Sequence, residues 1–166
     1  GERDLIEPVL RSKFAKALEI DNGYVDGGDV LCTSDNVIIG LSSRTTQEGA
    51  ERLVKCLSNL GLSGTITDTP PGVLHLKSDC SLLDETTVFV TPRLADSQVF
   101  KNYKKIITPE TEYAAANAIR INASVFMNKD CVKAIALLEQ SGFKTTALPS
   151  TEIRKLDGGL SCMSLR

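Results

Sequence analysis

Tyr24-Val25-Asp26-Gly27-Gly28-Asp29-Val30-Leu31-Cys32, then Ser34-Asp35-Asn36, then Val37-Ile38-Ile39-Gly40-Leu41, reads as a strand, a turn and a second strand, which predicts a hairpin. Two acids bracket two glycines at the mouth of the first strand. Thr45 and Glu48 follow at capping-box spacing. Ala50, Leu53, Val54, Leu57 and Leu60 then recur at helical steps until Gly61 stops the helix. Ser63 to Thr67 reads as a further strand. The unit is strand-strand-helix-strand.

The same order recurs downstream. Thr86 to Val90 is a strand, Ala95 to Asn102 a short helix, and Lys105 to Thr108 a strand. Ala118 to Ile121 and Ser124 to Met127 form a second hairpin. Asp130 to Ser141 is a helix with Val132, Ile135, Ala136 and Leu138 inward, closed by Gly142, and Phe143 to Leu148 is a strand. The strands after the helices centre near Ile66, Ile107 and Thr146, a step of about 40 residues, in the range of repeat architectures. Each unit is too small to bury its own apolar face, so neighbours must share a core. The expected organisation is one partial repeat domain over 1–166, with units at 24–68, 86–108 and 118–148.

Upstream, Leu5, Ile6, Val9, Leu10, Phe14 and Leu18 lie on one face of a predicted helix over 3–18, the helix of a preceding unit within 1–20. Pro8 is tolerated in a first turn, which puts the helix start near Ile6. Asp21-Asn22-Gly23 then turns the chain. Residues 149–166 close the sequence.

The formal net charge is −2, with no basic run to meet nucleic acid. Apolar runs are far shorter than the roughly 20 residues of a membrane span. Five cysteines at wide spacing, with no CxxC pair and a single histidine, disfavour a zinc site. The pattern predicts a reduced, cytoplasmic protein with one functional thiol and with Cys32, Cys56, Cys80 and Cys131 as packing residues. No metal or cofactor is expected, nor a nucleic-acid or membrane partner.

Two segments are candidates for chemistry. Asp157-Gly158-Gly159-Leu160-Ser161-Cys162 places a thiol after a Gly-Gly turn, and Leu160, Met163 and Leu165 read as the ends of a buried strand. A buried, inert thiol is the ordinary fate of a free cysteine, and a nucleophile at the rim of a core is the other. His75 stands between Leu74 and Leu76, after a Pro70-Pro71-Gly72 turn. A histidine between leucines is commonly a satisfied core residue. With Asp26 and Cys162 also beside turns, a thiol, an imidazole and a carboxylate are all available.

In order along the chain, Val25-Asp26-Gly27-Gly28-Asp29-Val30-Leu31, Gly40-Leu41-Ser42-Ser43-Arg44-Thr45, Leu74-His75-Leu76-Lys77-Ser78 and Asp157 to Cys162 resemble the motifs of dimethylarginine dimethylaminohydrolases, in the guanidine-modifying superfamily. The resemblance runs from about Val25 to the C-terminus. It implies an α/β fold of the pentein type (an α/β propeller), with about three of the usual five strand-strand-helix-strand units in this chain. Arginine deiminases are similar in the Gly-Gly-Asp and terminal cysteine motifs but usually carry an acid where this chain has Lys77, which favours the dimethylaminohydrolase branch.

The resemblance implies Cys162 as nucleophile and His75 as general acid and base. Asp26 would orient His75 or bind the guanidinium, and Arg44 would pair with the substrate carboxylate, unless it is a surface charge at a helix start. Asp29 reads as a turn-forming aspartate. The implied activity hydrolyses the guanidinium of methylated arginine to citrulline and an alkylamine through a covalent cysteine thiouronium, with no cofactor. Another guanidine-modifying enzyme (an arginine deiminase or an amidinotransferase) or a non-catalytic pentein-like binding module remain alternatives. The family's N-terminal acids have no match before Val25. The chain is therefore expected to be a fragment, one part of a nicked protein or a degenerate relative. It is expected to have little activity alone and to need a second chain supplying the missing units, or a homo-oligomer.

Overall fold

The structure, a computed structural model, describes residues 2–164. It contains three separate three-stranded sheets, one per unit. The first unit comprises β1 (Val30–Cys32), β2 (Val37–Leu41), α2 (Gln47–Ser58) and β3 (Gly64–Asp68), preceded by α1 (Glu2–Lys13). After α3 (Leu76–Asp79), the second unit has β4 (Cys80–Leu82), β5 (Thr87–Val90), a 3-10 turn at Gln98–Phe100 and β6 (Lys104–Ile107). The third has β7 (Ile119–Ile121), β8 (Ser124–Asn128), α4 (Val132–Gln140) and β9 (Lys144–Leu148), followed by α5 (Thr151–Arg154).

Each sheet is built alike. The first two strands pair antiparallel, as a short connection permits, and the third lies parallel to the second after a crossover. The second strand is central and the most buried; all four residues of β5 lack solvent contact or nearly so.

Two of the three core clusters form between units, and the third lies within the first unit. Leu31 and Ile38 of the first unit pack with Leu76, Cys80, Val88 and Val90. Leu83, Phe89 and Ile106 of the second pack with Val125, Met127, Ala134 and Leu138 of the third. A third cluster joins Val37, Ile39, Ala50 and Leu57 under α2. This is the shared burial that small repeats require.

Several sequence expectations change. The second unit begins at Cys80, not Thr86, because Cys80–Leu82 pairs antiparallel with β5; the predicted helix at Ala95 to Asn102 is only turns and the Gln98–Phe100 3-10 segment. The cap of α2 is Thr46, whose hydroxyl accepts from Gly49 N at 3.1 Å. Thr45 is drawn away from capping by a buried partner described below. Gly61, at φ +75°, ends the helix just past Ser58, leaving Leu60 exposed rather than inward.

Helix α1 holds Pro8 in its interior and ends at Lys13. Its apolar face is not inward: Leu5 is 80% and Phe14 63% exposed, and none of the six face residues joins a core cluster. The segment is tied on by polar contacts, such as Lys16 Nζ to Asn59 O at 3.1 Å and Arg52 to Asp21 at 2.6 Å. Cys162 lies on a 3-10 turn, Leu160–Met163, and not on a strand; Leu160 is buried and Met163 exposed, while Leu165 lies outside the described residues.

All five cysteines are free. Cys80 and Cys131 are buried, as a packing role requires. Burial, then the neighbouring Asp79 charge, pushes the Cys80 thiol far above its ordinary pKa, and burial likewise raises that of Cys131. Cys56 is half-buried and donates to Glu19 O at 3.6 Å. Cys32 is exposed at the end of β1, which corrects its reading as a packing residue.

Two measurements check this packing. Phe89→Ala should cost about 3–5 kcal/mol of unfolding free energy, since it empties a fully buried ring site between units, whereas Leu5→Ala should cost under about 0.5 kcal/mol. Denaturant melts that rank the two the other way would refute the shared core. Iodoacetamide on the folded protein should modify Cys162 and Cys32 and leave Cys80 and Cys131 intact until denaturant is added, as read by peptide mass mapping.

Candidate active site

Asp26, His75 and Arg44 come together from three different turns. Asp26 caps the 3-10 turn Gly27–Asp29, and its Oδ1 accepts from Gly28 N at 2.8 Å. The Asp26 backbone N–H donates to Thr45 Oγ1 at 3.0 Å, which fastens this turn to the loop after β2. That loop carries Arg44, whose own N–H donates to Ser42 Oγ at 3.0 Å.

His75 is the residue before α3, in extended conformation at φ −145°. Its side chain is 14% exposed, and its Nε2 lies 3.3 Å from Asp26 Oδ1. The contact is within electrostatic reach but lacks hydrogen-bond alignment, so Nε2 is a buried atom without a hydrogen-bond partner. Such loose alignment is common at an acid-base site with no substrate in it. The other carboxylate oxygen of Asp26, Oδ2, faces Arg44 Nη1 at 3.9 Å. Arg44 is mostly exposed, which leaves its planar fork able to meet a carboxylate in two-point fashion.

The His75 ring lies on Gly28. A Cβ at that position would stand 2.7 Å from the ring Cγ and 2.9 Å from Nδ1, closer than atoms pack. The glycine of Asp26-Gly27-Gly28-Asp29 is thus required by a side chain far along the chain. Sequence reasoning missed this contact.

Asp29 is fully buried and does more than close its turn. Its Oδ2 accepts from Ser42 Oγ and Thr45 Oγ1, both at 2.7 Å, and its Oδ1 from Leu76 N at 2.8 Å. This replaces the reading of a local turn aspartate. At the other end of α3, Asp79 is also buried; it accepts from Thr91 Oγ1 at 2.6 Å and pairs with Arg93 at 3.0 and 2.7 Å. The Arg93 guanidinium in turn lies 5.1 Å over the Tyr113 ring.

Cys162 stands on a separate segment. Its thiol is exposed and accepts from Gly159 N at 3.4 Å, with no hydrogen bond to His75, Asp26 or Arg44. Asn117 seats its turn: Asn117 Oδ1 accepts from Ser161 N at 2.9 Å, and a Cβ at Gly159 would strike the Asn117 amide at 2.5 Å. Nothing in Ala114-Ala115-Ala116-Asn117 signals this partner. A groove of about 260 Å³ is lined by Leu74, Ser78, Asp79, Arg93, Tyr113 and Asp157 among others, and by none of Asp26, Arg44, His75 and Cys162. A second groove, of about 280 Å³, lies elsewhere, between the Ser34–Asn36 turn and Gln98 to Tyr103. Among the described residues no group of three or more His, Cys, Asp or Glu is placed to hold a metal ion, and no helix is long and apolar enough to cross a membrane.

Comparison with known proteins identifies the family. The family model for arginine deiminase matches residues 10–129. The dimethylarginine dimethylaminohydrolase of Pseudomonas aeruginosa is 32% identical over 168 residues, covering 100% of this chain and 66% of that protein. The corresponding protein of Streptomyces coelicolor is 30% identical over 146 residues, covering 87% of this chain and 55% of its own length. A solved structure of the Pseudomonas aeruginosa protein, a cysteine-to-serine mutant complexed with citrulline, superposes with a TM-score of 0.94 over 100% of this chain and 66% of that one. The chain therefore spans between half and two thirds of the length of these relatives. It has the α/β pentein architecture, three units of which are present here, and it belongs to the family of arginine deiminases and dimethylarginine dimethylaminohydrolases.

Proposed function

We propose that this chain carries the nucleophile and the acid-base pair of a hydrolase acting on the guanidinium of methylated arginine. The observation that carries the reading is the meeting of the only histidine with Asp26 at 3.3 Å, beside Arg44, in a chain that matches a dimethylarginine dimethylaminohydrolase along its whole length.

The chemistry follows from the groups. A guanidinium is resonance-stabilised, so attack at its central carbon needs a strong nucleophile. A thiolate is one, though a free thiol near pKa 8.5 is mostly protonated at neutral pH. An imidazolium at His75, or the bound cationic substrate, favours the thiolate at Cys162. Attack forms the C–S bond and a tetrahedral adduct. His75 gives its proton to the departing dimethylamine, leaving a thiouronium on Cys162. The neutral imidazole then takes a proton from water, whose oxygen attacks the same carbon, and collapse releases citrulline and the thiol. Asp26 holds His75 through Oδ1 and offers Oδ2 to a cation, and Arg44 takes the substrate carboxylate.

Asp26 cannot hold the guanidinium alone. A guanidinium leaving water needs carboxylates at more than one nitrogen, because an unpaired buried charge is very costly. Asp26 alone serves both His75 and the pocket here. We place the other acids in residues beyond these 166, in a longer form of the protein, a second polypeptide or another copy, and the protein itself in the cytoplasm, in keeping with its five free cysteines. Arginine deiminase chemistry is the second reading, favoured by the family model over residues 10–129. Release of dimethylamine from dimethylarginine against ammonia from arginine separates the two.

Two variants test the reading. Cys162→Ser should lower turnover about 1,000-fold or more with the fold intact, because a hydroxyl without a strong base is a weak nucleophile. Retained hydrolysis removes Cys162 from the mechanism. Gly28→Ala should displace the His75 ring and lower kcat about 100-fold, the scale of an ångström misplacement, with an unchanged thermal melt. An unaltered kcat in that variant would show that the ring position is unimportant. Both assays are run on this chain alone and on a form extended by about 100 residues at its N-terminus, roughly two further repeat units.

A further inference from the structure

We propose that Asp29 is a positioning residue of this site, one buried carboxylate that sets His75, Asp26 and Arg44 in register with one another. The proposal rests on the guanidine-hydrolase reading for its catalytic meaning, and on the hydrogen bonds for its geometry.

The network has a definite direction. An ionised carboxylate can only accept hydrogen bonds, and a hydroxyl has one proton to give. Ser42 and Thr45 both give theirs to Asp29 Oδ2, each at 2.7 Å. Their lone pairs are then left for outside donors, and these are the backbone N–H groups of Arg44 and Asp26, each at 3.0 Å. The remaining oxygen, Oδ1, takes the N–H of Leu76 at 2.8 Å, the residue that follows His75. One carboxylate thus reaches Arg44 and Asp26 through one hydroxyl each, and His75 through the adjoining peptide.

A turn-forming role does not account for this. The 3-10 turn is already closed by Asp26, whose carbonyl accepts from Asp29 N at 2.9 Å and whose side chain accepts from Gly28 N. The partners of the Asp29 side chain lie 13, 16 and 47 residues away. With no exposed surface, Asp29 cannot touch a substrate, so any effect on turnover must pass through the three residues it holds. Charge-assisted bonds of this kind are the stronger class, and the low-dielectric surroundings make each costly to leave unmade.

The test uses Asp29→Asn and Thr45→Val. In Asp29→Asn an amide N–H replaces the acceptor that faces the two hydroxyls, so they can no longer both donate inward. Thr45→Val keeps the carboxylate and its charge but removes the link to Asp26 N. The readouts are the thermal melt, the imidazole NMR signal of His75 (unambiguous, as the sequence has one histidine), and kcat and KM for dimethylarginine. Both variants should fold with lowered melting temperatures. Both should displace the His75 signal by more than its linewidth. Asp29→Asn should lower kcat about 100-fold and Thr45→Val by about 10-fold, scaled from the cost of an ångström misplacement. If Asp29→Asn fails to fold, Thr45→Val decides alone through the same readouts. An unmoved His75 signal in the folded variants overturns the proposal, and so does a signal that moves in Asp29→Asn but not in Thr45→Val, which is the mark of a lost charge rather than lost register. Displaced signals in both variants, with no turnover even in the unmutated N-terminally extended form, uphold the positioning role and defeat the guanidine-hydrolase reading instead.

Discussion

An ionised carboxylate with no contact to water must be met by donors, and the way Asp29 is met organises this end of the molecule. Its donors come from the loop after β2 and from the start of α3. Satisfying one buried charge therefore fixes where two distant turns sit. Breaking such a network by removing one member leaves a charge or a hydroxyl stranded, which is why it behaves as a unit. The second unit uses a related device. Asp79 stands directly before β4 as Asp29 stands directly before β1, and each takes a hydroxyl from the residue just after the central strand, Thr91 and Ser42. Arg93 then supplies a cation where the first unit has only hydroxyls. Helix α3 has a buried acid anchoring each of its ends, and His75 sits at its head.

The cores obey the same logic of shared burial. One face of the first sheet is covered by its own helix α2, but Leu31 and Ile38 need Leu76 and Val88, and Phe89 needs Met127 and Leu138. The loops at the strand ends are thus held by cores on both sides, a rigid frame for side chains drawn from separate units. The exposed face of α1 is the exception, an apolar stripe with no partner among the described residues. Apolar patches of that kind mark surfaces that meet something else.

The candidate site is consequently composite. Asp26 and Arg44 belong to the first unit, His75 to the connection between first and second, and Cys162 to a segment seated on Asn117 at the entrance to the third. His75 with Asp26, and Cys162, are anchored independently, the former through Asp29 and the latter through Asn117.

The sequence by itself determined the repeat and the cast of reactive groups. Alternation and helical steps, with glycine stops at Gly61 and Gly142, mark the strands and helices of the first and third units because those signals are local. The motifs around Asp26, His75 and Cys162 named the family. Only the tertiary structure decided the partners. Thr45 and Thr46 are equally good caps in sequence, and it is the buried Asp29 that claims the first and leaves the second to α2. Strand β4 exists because β5 offers it an edge. Cys32 and Cys80 look alike in sequence, yet one faces solvent and the other a core shared between units. The reason is common to all of these: burial and hydrogen-bond satisfaction depend on which groups meet across tens of residues, and no local pattern encodes that.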